Sequence, residues 1–151
     1  MSALKDRLQA DLTTAMKARD ELRLATLRMA LTALKTAEVS GGEARELDDE
    51  EVLAVLRRET KKRRESAEAY DAASRPELSE RERAEGAVLE EYLPAQLGDD
   101  ELAALVDVAI AETGATGPQQ MGQVMKIVTP RVAGRADGGR VAAEVKRRLT
   151  P

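Results

Sequence analysis

The chain is expected to fold as an all-α protein, on three observations. Its apolar residues are aliphatic: the 151 residues include no Phe, no Trp and two Tyr, so the core must be Leu, Val, Ala and Met, which suits packed helices better than a pleated sheet. Apolar positions recur every three or four residues, the spacing of one helix face. Charged residues make up 34% of the chain with both signs interleaved, as on the solvated faces of amphipathic helices. No long Ser, Gly or Pro tract points to disorder.

The elements follow in order. Leu4, Leu8, Leu12 and Met16 recur at four-residue steps and predict a helix over residues 3–18. Asp20 is suited to cap a second, in which Leu24, Leu27, Leu31 and Leu34 repeat, ended by Ser40-Gly41-Gly42. A third starts near Asp48 and Asp49, where carboxylates complement the helix dipole. It runs to about Ala73 and stops before Arg75-Pro76. A fourth spans Pro76 to Tyr92 and is closed by Leu93-Pro94. Shorter helices come next. Residues 99–113 carry Leu102, Leu105, Val106 and Ala109 on one stripe, and Gly114 stops them. Thr116 and Gln119 have capping-box spacing ahead of Met121, Val124, Met125 and Val128. Pro130 and Gly134 are expected to break that helix, and Val141, Val145 and Leu149 stripe the last one. This pattern predicts a larger N-terminal helical subdomain over residues 1–93 and a small C-terminal three-helix subdomain over residues 98–151.

Absences narrow the chemistry. The chain has no Cys and no His, so disulfides, thiolate nucleophiles and the commonest general base and metal ligand are missing. No cofactor, metal site or catalytic residue is expected. The opening MSALKDRLQADL lacks the apolar run of a signal peptide, and no segment approaches the roughly 20 apolar residues of a membrane span. The expected location is cytoplasmic, with no membrane partner. The net charge of −4 hides an asymmetry: residues 1–118 carry 17 basic and 26 acidic groups, residues 119–151 seven basic and two acidic, a net +5. A polarised surface of that kind can orient a partner.

Three segments could carry function. RRETKKRR, residues 57–64, holds six basic groups in eight positions. At 100° per residue, Val52, Leu56, Thr60, Ala67 and Tyr70 mark its buried face, while Arg57, Arg58, Lys61 and Lys62 form a basic ridge nearly opposite. The ridge is either a grip for phosphates or an ordinary charged face balanced by Glu65, Glu68, Asp71 and the acidic fourth helix. Arg63 falls within the apolar stripe, four residues after Glu59, so it must be paired within or between helices. GRADGGRV, residues 134–141, does not match the phosphate loop GxxxxGK[ST], and no strand precedes it. Asp137 reads as the N-cap of the last helix, with Gly138 and Gly139 in its first turn. The glycines either expose backbone N–H groups to phosphate or allow a close approach between helices. Around them Lys126, Arg131, Arg135, Arg140, Lys146, Arg147 and Arg148 make an electrostatic footprint suited to an RNA backbone. The last two also complement the helix dipole. With two Tyr in the chain, base stacking is not the mode; shape and phosphates would be read.

The closing segment MGQVMKIVTPRVAGRADGGRVAAEVKRRL resembles that of the YqeY family and of the tail domain in the B subunit of tRNA-dependent Asp/Glu amidotransferases, whose pattern is close to GxVMK, a spacer, GRADGxxV and a basic ending. MKARDELRLATLRM at 16–29, KKRRESAEAY at 61–70 and EEYLPAQL at 90–97 are similar to free-standing members. Gly98 departs from the capping Ser usual there, which weakens a helix start and leaves function untouched. The resemblance implies two helical subdomains and a link to amide transfer on misacylated tRNA, where the tail helps engage the tRNA body and the chemistry lies on other parts.

Three functions follow as expectations. The first is a non-catalytic tRNA-binding or accessory module using Lys126, Arg131, Arg135, Gly138, Gly139, Arg140, Arg147 and Arg148. Its partners would be tRNA and an amidotransferase or tRNA-charging enzyme. The second is a helical protein–protein adaptor, favoured by an acidic body that repels polyanions. The third is a component of carbon–nitrogen ligase chemistry with glutamine as nitrogen donor, a link the resemblance supplies while no tuned acid/base pair stands out.

Overall fold

A computed structural model describes residues 2–150 and, among them, is helical throughout, with no strand. The helices are α1 (Ala3–Ala18), α2 (Glu21–Val39), α3 (Asp49–Ala72), α4 (Pro76–Glu90), α5 (Asp99–Thr113), α6 (Met121–Val132) and α7 (Gly138–Leu149), with a short 3-10 turn at Pro118–Gln120. The chain divides into two compact units, Met1–Leu93 and Pro94–Pro151. Among the described residues no helix is long and apolar enough to cross a membrane.

In the N-terminal unit, short polar side chains start the helices by taking the orphan N–H groups of the first turn. Ser2 accepts from the Lys5 N–H, and Asp20 from the Arg23 N–H at 3.1 Å. Asp48 accepts from the Glu51 N–H at 2.8 Å while Glu51 accepts from the Asp48 N–H, a reciprocal capping box. α4 begins on Pro76, whose missing N–H costs nothing at that position. Leu8, Leu27, Leu34, Val52, Leu56 and Leu89 are fully enclosed at the centre, each such burial contributing about 1.5–3 kcal/mol.

Two expectations here need correction. Met16 does not continue the α1 stripe; it is 50% exposed, and Ala15 is buried in its place. Four-residue steps advance about 40° each, so Met16 has drifted about 80° from Leu8, whereas a seven-residue step returns to within about 20°. α4 ends at Glu90, short of Tyr92. Tyr92 is nonetheless buried: its hydroxyl donates to Asp11, and the Arg7 guanidinium lies 4.6 Å from its ring centroid. Burial first, and the Asp11 carboxylate second, push its phenol above the ordinary range.

The expected pairing of Arg63 is interhelical. Its side chain, 20% exposed, lies 3.4 Å from Glu82 and 3.6 Å from Glu85 on α4, fastening the α3–α4 hairpin. Glu59, itself buried, takes Lys62 instead at 3.2 Å. Tyr70 is half-buried, at the margin of the face it was expected to join.

The C-terminal unit closes around Leu102, Val106, Val124, Val128, Val132, Val141, Val145 and Leu149. Gly114 ends α5 with φ of 68°, a conformation glycine adopts without strain, and its N–H reaches the Ile110 carbonyl at 2.9 Å. The Thr116–Gln119 box does not form. The turn at Pro118–Gln120 shifts the register by one residue, and Gln120 accepts from both the N–H and the hydroxyl of Thr116. Pro130 does not break α6 but lies inside its last turn, and the helix runs on to Val132 before Ala133 and Gly134 turn left-handed. One missing N–H there is outweighed by burying Val128 and Val132 on one face.

Three outcomes follow for stability. A Cβ at Gly86, mid-α4, would sit 3.6 Å from the Arg63 Cβ, an ordinary contact. Gly86→Ala therefore raises stability by up to about 1 kcal/mol in urea melts, through helix propensity and a less flexible unfolded chain. Arg63→Ala strands Glu82 at the seam and leaves Glu85 to Arg81 alone, at 3.0 Å, and lowers it by about 2–3 kcal/mol. Asp71 and Asp49 are held below the usual range, Asp71 mainly by Arg83 and Asp49 mainly by the Ser2 hydroxyl. Folded values below unfolded ones give stability that is complete above the ordinary value of 3.8 and is lost as pH falls through the folded value. Urea midpoints measured at neutral pH and at successively lower pH should stay level and then drop below about pH 4.

Candidate nucleic-acid interface

α7 positions the basic ending. Its N-cap Asp137 accepts from the Gly139 N–H at 3.0 Å, and Gly138 and Gly139 lie exposed in the first turn. A Cβ at Gly138 would meet nothing within 4 Å, and at Gly139 only the Asp137 carboxylate at 3.7 Å. Close helix approach is therefore not what these glycines serve. They leave the first turn of α7 without side chains of its own, while the Asp137 carboxylate already takes the Gly139 N–H and sets a negative charge at that end.

The arginines are spread along the length of α5. Arg140 bonds Asp99 at 2.8 Å. Arg135 donates from Nε to the Ala95 carbonyl at 3.0 Å and faces Glu101 at 3.9 Å, while Leu97 donates to the Arg135 carbonyl at 2.7 Å. Arg148 lies 3.2 Å from Asp107 and shares Glu144, at 3.0 Å, with Arg147 at 2.7 Å. Arg135 and Arg140 thus sit at the start of α5 and Arg148, with Arg147 sharing its Glu144, about 12 Å further along it, and the fields of Asp107 and Asp99 reach Arg147. Arg131 continues the series: it pairs at 2.7 Å with Glu112, five residues beyond Asp107 and so roughly 8 Å further along α5. Lys126 and Lys146 are exposed, on α6 and α7 respectively, and make no ion pair among the described residues. Hydrogen bonds from Arg147, then Arg148, hold the Glu144 carboxyl below its usual range.

Sequence alone saw the cations and missed their partners. Residues 94–151 carry seven basic and seven acidic groups, so the +5 of the last segment meets a −5 on α5. Nothing local announced that α7 would lie against the acidic residues of α5.

The N-terminal ridge is partly confirmed in its exposure. Arg58, Lys61 and Lys62 are exposed, whereas Arg57 is half-buried with its Nε enclosed. A shallow cleft beside α1, lined by Ser2, Lys5, Asp6, Gln9, Glu46 and Leu47, has its ammonium already committed to Glu38. Among the described residues no group of three or more acidic side chains is gathered as metal donors.

Two curated relatives share part of this chain, and both are described as "Altered inheritance of mitochondria protein 41, mitochondrial". The protein from Clavispora lusitaniae is 32% identical over 91 residues, 60% of this chain and 52% of its own. That from Meyerozyma guilliermondii is 31% identical over 86 residues, 57% of this chain and 44% of its own. The chain spans about half the length of these relatives or less. The profile of the family described as "Yqey-like protein" matches residues 5–149, through both helical units and the arginine-bearing α7, and the chain belongs to that YqeY family.

Proposed function

We propose that this small helical protein is a non-catalytic accessory module whose C-terminal unit engages tRNA through its phosphate backbone. The observation that carries the reading is the line of Arg135, Arg140, Arg147 and Arg148 along α5, beside the glycine turn that opens α7. Asp99, Glu101 and Asp107 are open to solvent, Asp99 at 96%, while Glu144, which holds Arg147 and Arg148, is 16% exposed. Such exposed pairs are worth at most about 1 kcal/mol each, and a phosphate offers the same guanidinium fork a bidentate acceptor of higher charge. The pairs therefore hold the arginines in place without locking them. In this reading the module works in the cytoplasm beside a tRNA-charging or amidotransferase enzyme, which supplies any carbon–nitrogen bond chemistry; the relatives' mitochondrial name makes that organelle the alternative location.

A second reading has its own observation. The charge equality of residues 94–151 leaves little long-range attraction for a polyanion and suits an adaptor that meets a protein partner across mixed charges.

The two readings separate on the carboxylates. Under the tRNA reading, Arg135→Ala/Arg140→Ala weakens low-salt tRNA binding roughly tenfold, and Asp99→Asn/Glu101→Gln, which frees those arginines, tightens it several-fold. Filter binding at two salt concentrations checks both. Indifference to both pairs of changes, or no binding at low salt, would leave the adaptor reading in possession.

A further inference from the structure

We propose that the outward face of α3 between Arg58 and Arg64 is a second RNA contact, on the N-terminal unit and built to meet the phosphates of a double-helical segment. The inference rests on the reading that this protein engages RNA, and it assigns a surface that reading does not use.

α3 is one unbroken helix from Asp49 to Ala72, held from behind by Val52, Val55, Leu56 and Ala67 in the core. Arg58, Lys61 and Arg64 follow at three-residue steps, each turned about 60° from the last, so three exposed cations wind over about 9 Å of rigid helix and about 120° of its surface. The surroundings of Arg58 and Lys61 separate these two from the arginines of α7. Arg58 makes no ion pair among the described residues. Lys61 reaches Glu65 only at 4.0 Å, with both side chains more than 60% exposed. Lys62 is different in kind: it neutralises the buried Glu59, so its charge belongs to the fold.

Charge alone fits a polyanion or an acidic protein, and the neighbouring side chains decide between them. A protein interface needs a desolvated apolar or aromatic anchor. Around these cations the exposed residues of α3 are Lys62, Glu65, Glu68 and Ala69, three charged and one a single methyl, while Tyr70 lies on the far side of the helix. Phosphate contacts need no such anchor, since they position through charge and hydrogen bonds alone. The absence of an aromatic platform also disfavours single strands, whose bases would have nothing to stack on. The acidic first turn Asp49-Glu50-Glu51 at one end, and Glu65 with Glu68 at the other, confine the contact to a few phosphates. This face sets orientation more than affinity.

The test is tRNA binding by the full chain across a salt series, comparing Arg58→Gln/Lys61→Gln with Arg135→Ala/Arg140→Ala. Both ridge positions are exposed and mid-helical, and Gln keeps the helix; an unchanged urea midpoint verifies folding. The ridge variant should bind roughly fivefold to tenfold more weakly, with a log–log salt dependence shallower by about two. Wild-type affinity and slope in the ridge variant, with the α7 variant weakened, overturns the ridge contact and leaves the proposed function standing. Weakening by the ridge variant alone supports the contact and moves the RNA site off α7. A protein that binds no tRNA at low salt, or whose ridge variant instead loses a protein partner, overturns the inference.

Discussion

An aliphatic core constrains everything else in this protein. With no Phe or Trp and with Tyr92 as the one aromatic in the described core, helices must approach closely on Leu, Val and Ala surfaces, which are smooth and weakly directional. Such cores fold readily but specify register poorly, because many sliding arrangements bury similar areas. Discrimination therefore falls to polar contacts at the core's margins. Asp48 and Glu51 fix where α3 begins; Arg63 between Glu82 and Glu85 fixes how α3 and α4 run together. Breaking such a pair strands charges at a half-buried seam, so it penalises wrong registers more than it stabilises the right one.

The same division of labour explains which parts were legible in the sequence. Elements set by local chemistry were visible: Asp20 and Asp137 as N-caps, Gly114 as a stop, Pro76 as a start. Failures came where a local signal was outvoted from a distance. Pro130 should end a helix, but Val128 and Val132 are held by the core, and that carries α6 past it. Thr116 found Gln120 instead of Gln119 because a tight turn inserted ahead of α6. Met16 failed for a simpler reason, the gap between a four-residue step and the true helical repeat. Arg63 stands between the classes: its need for a partner was readable from its place in the stripe, but the partner's identity was a matter of tertiary packing.

Charge shows the limit most clearly. Along the chain, residues 119–151 look like a basic tail with a net +5. Folded, α7 lies against α5, and Asp99, Glu101 and Asp107 meet Arg140, Arg135 and Arg148. A linear tally of charge measures potential only where sequence neighbours stay spatial neighbours, and in a three-helix unit most of them do not. The candidate site was therefore visible as a set of residue types and invisible as a potential.

That neutrality bears on how such a surface can select. A free basic patch binds any polyanion, and its affinity falls with salt whatever the ligand's shape. An arginine already held by a carboxylate must exchange one acceptor for another, so it gains only where the incoming phosphate reaches the fork in good geometry. Several such exchanges on one helical platform favour a ligand whose phosphates have the right spacing and penalise one whose phosphates do not, since a displaced carboxylate left beside an ill-placed phosphate repels it. Pairing thus trades raw attraction for sensitivity to backbone shape, the property that distinguishes a folded RNA from a flexible one. On α3 Lys61 faces only the exposed Glu65, at 4.0 Å, and a short basic stretch between acidic flanks can only bias the direction of approach.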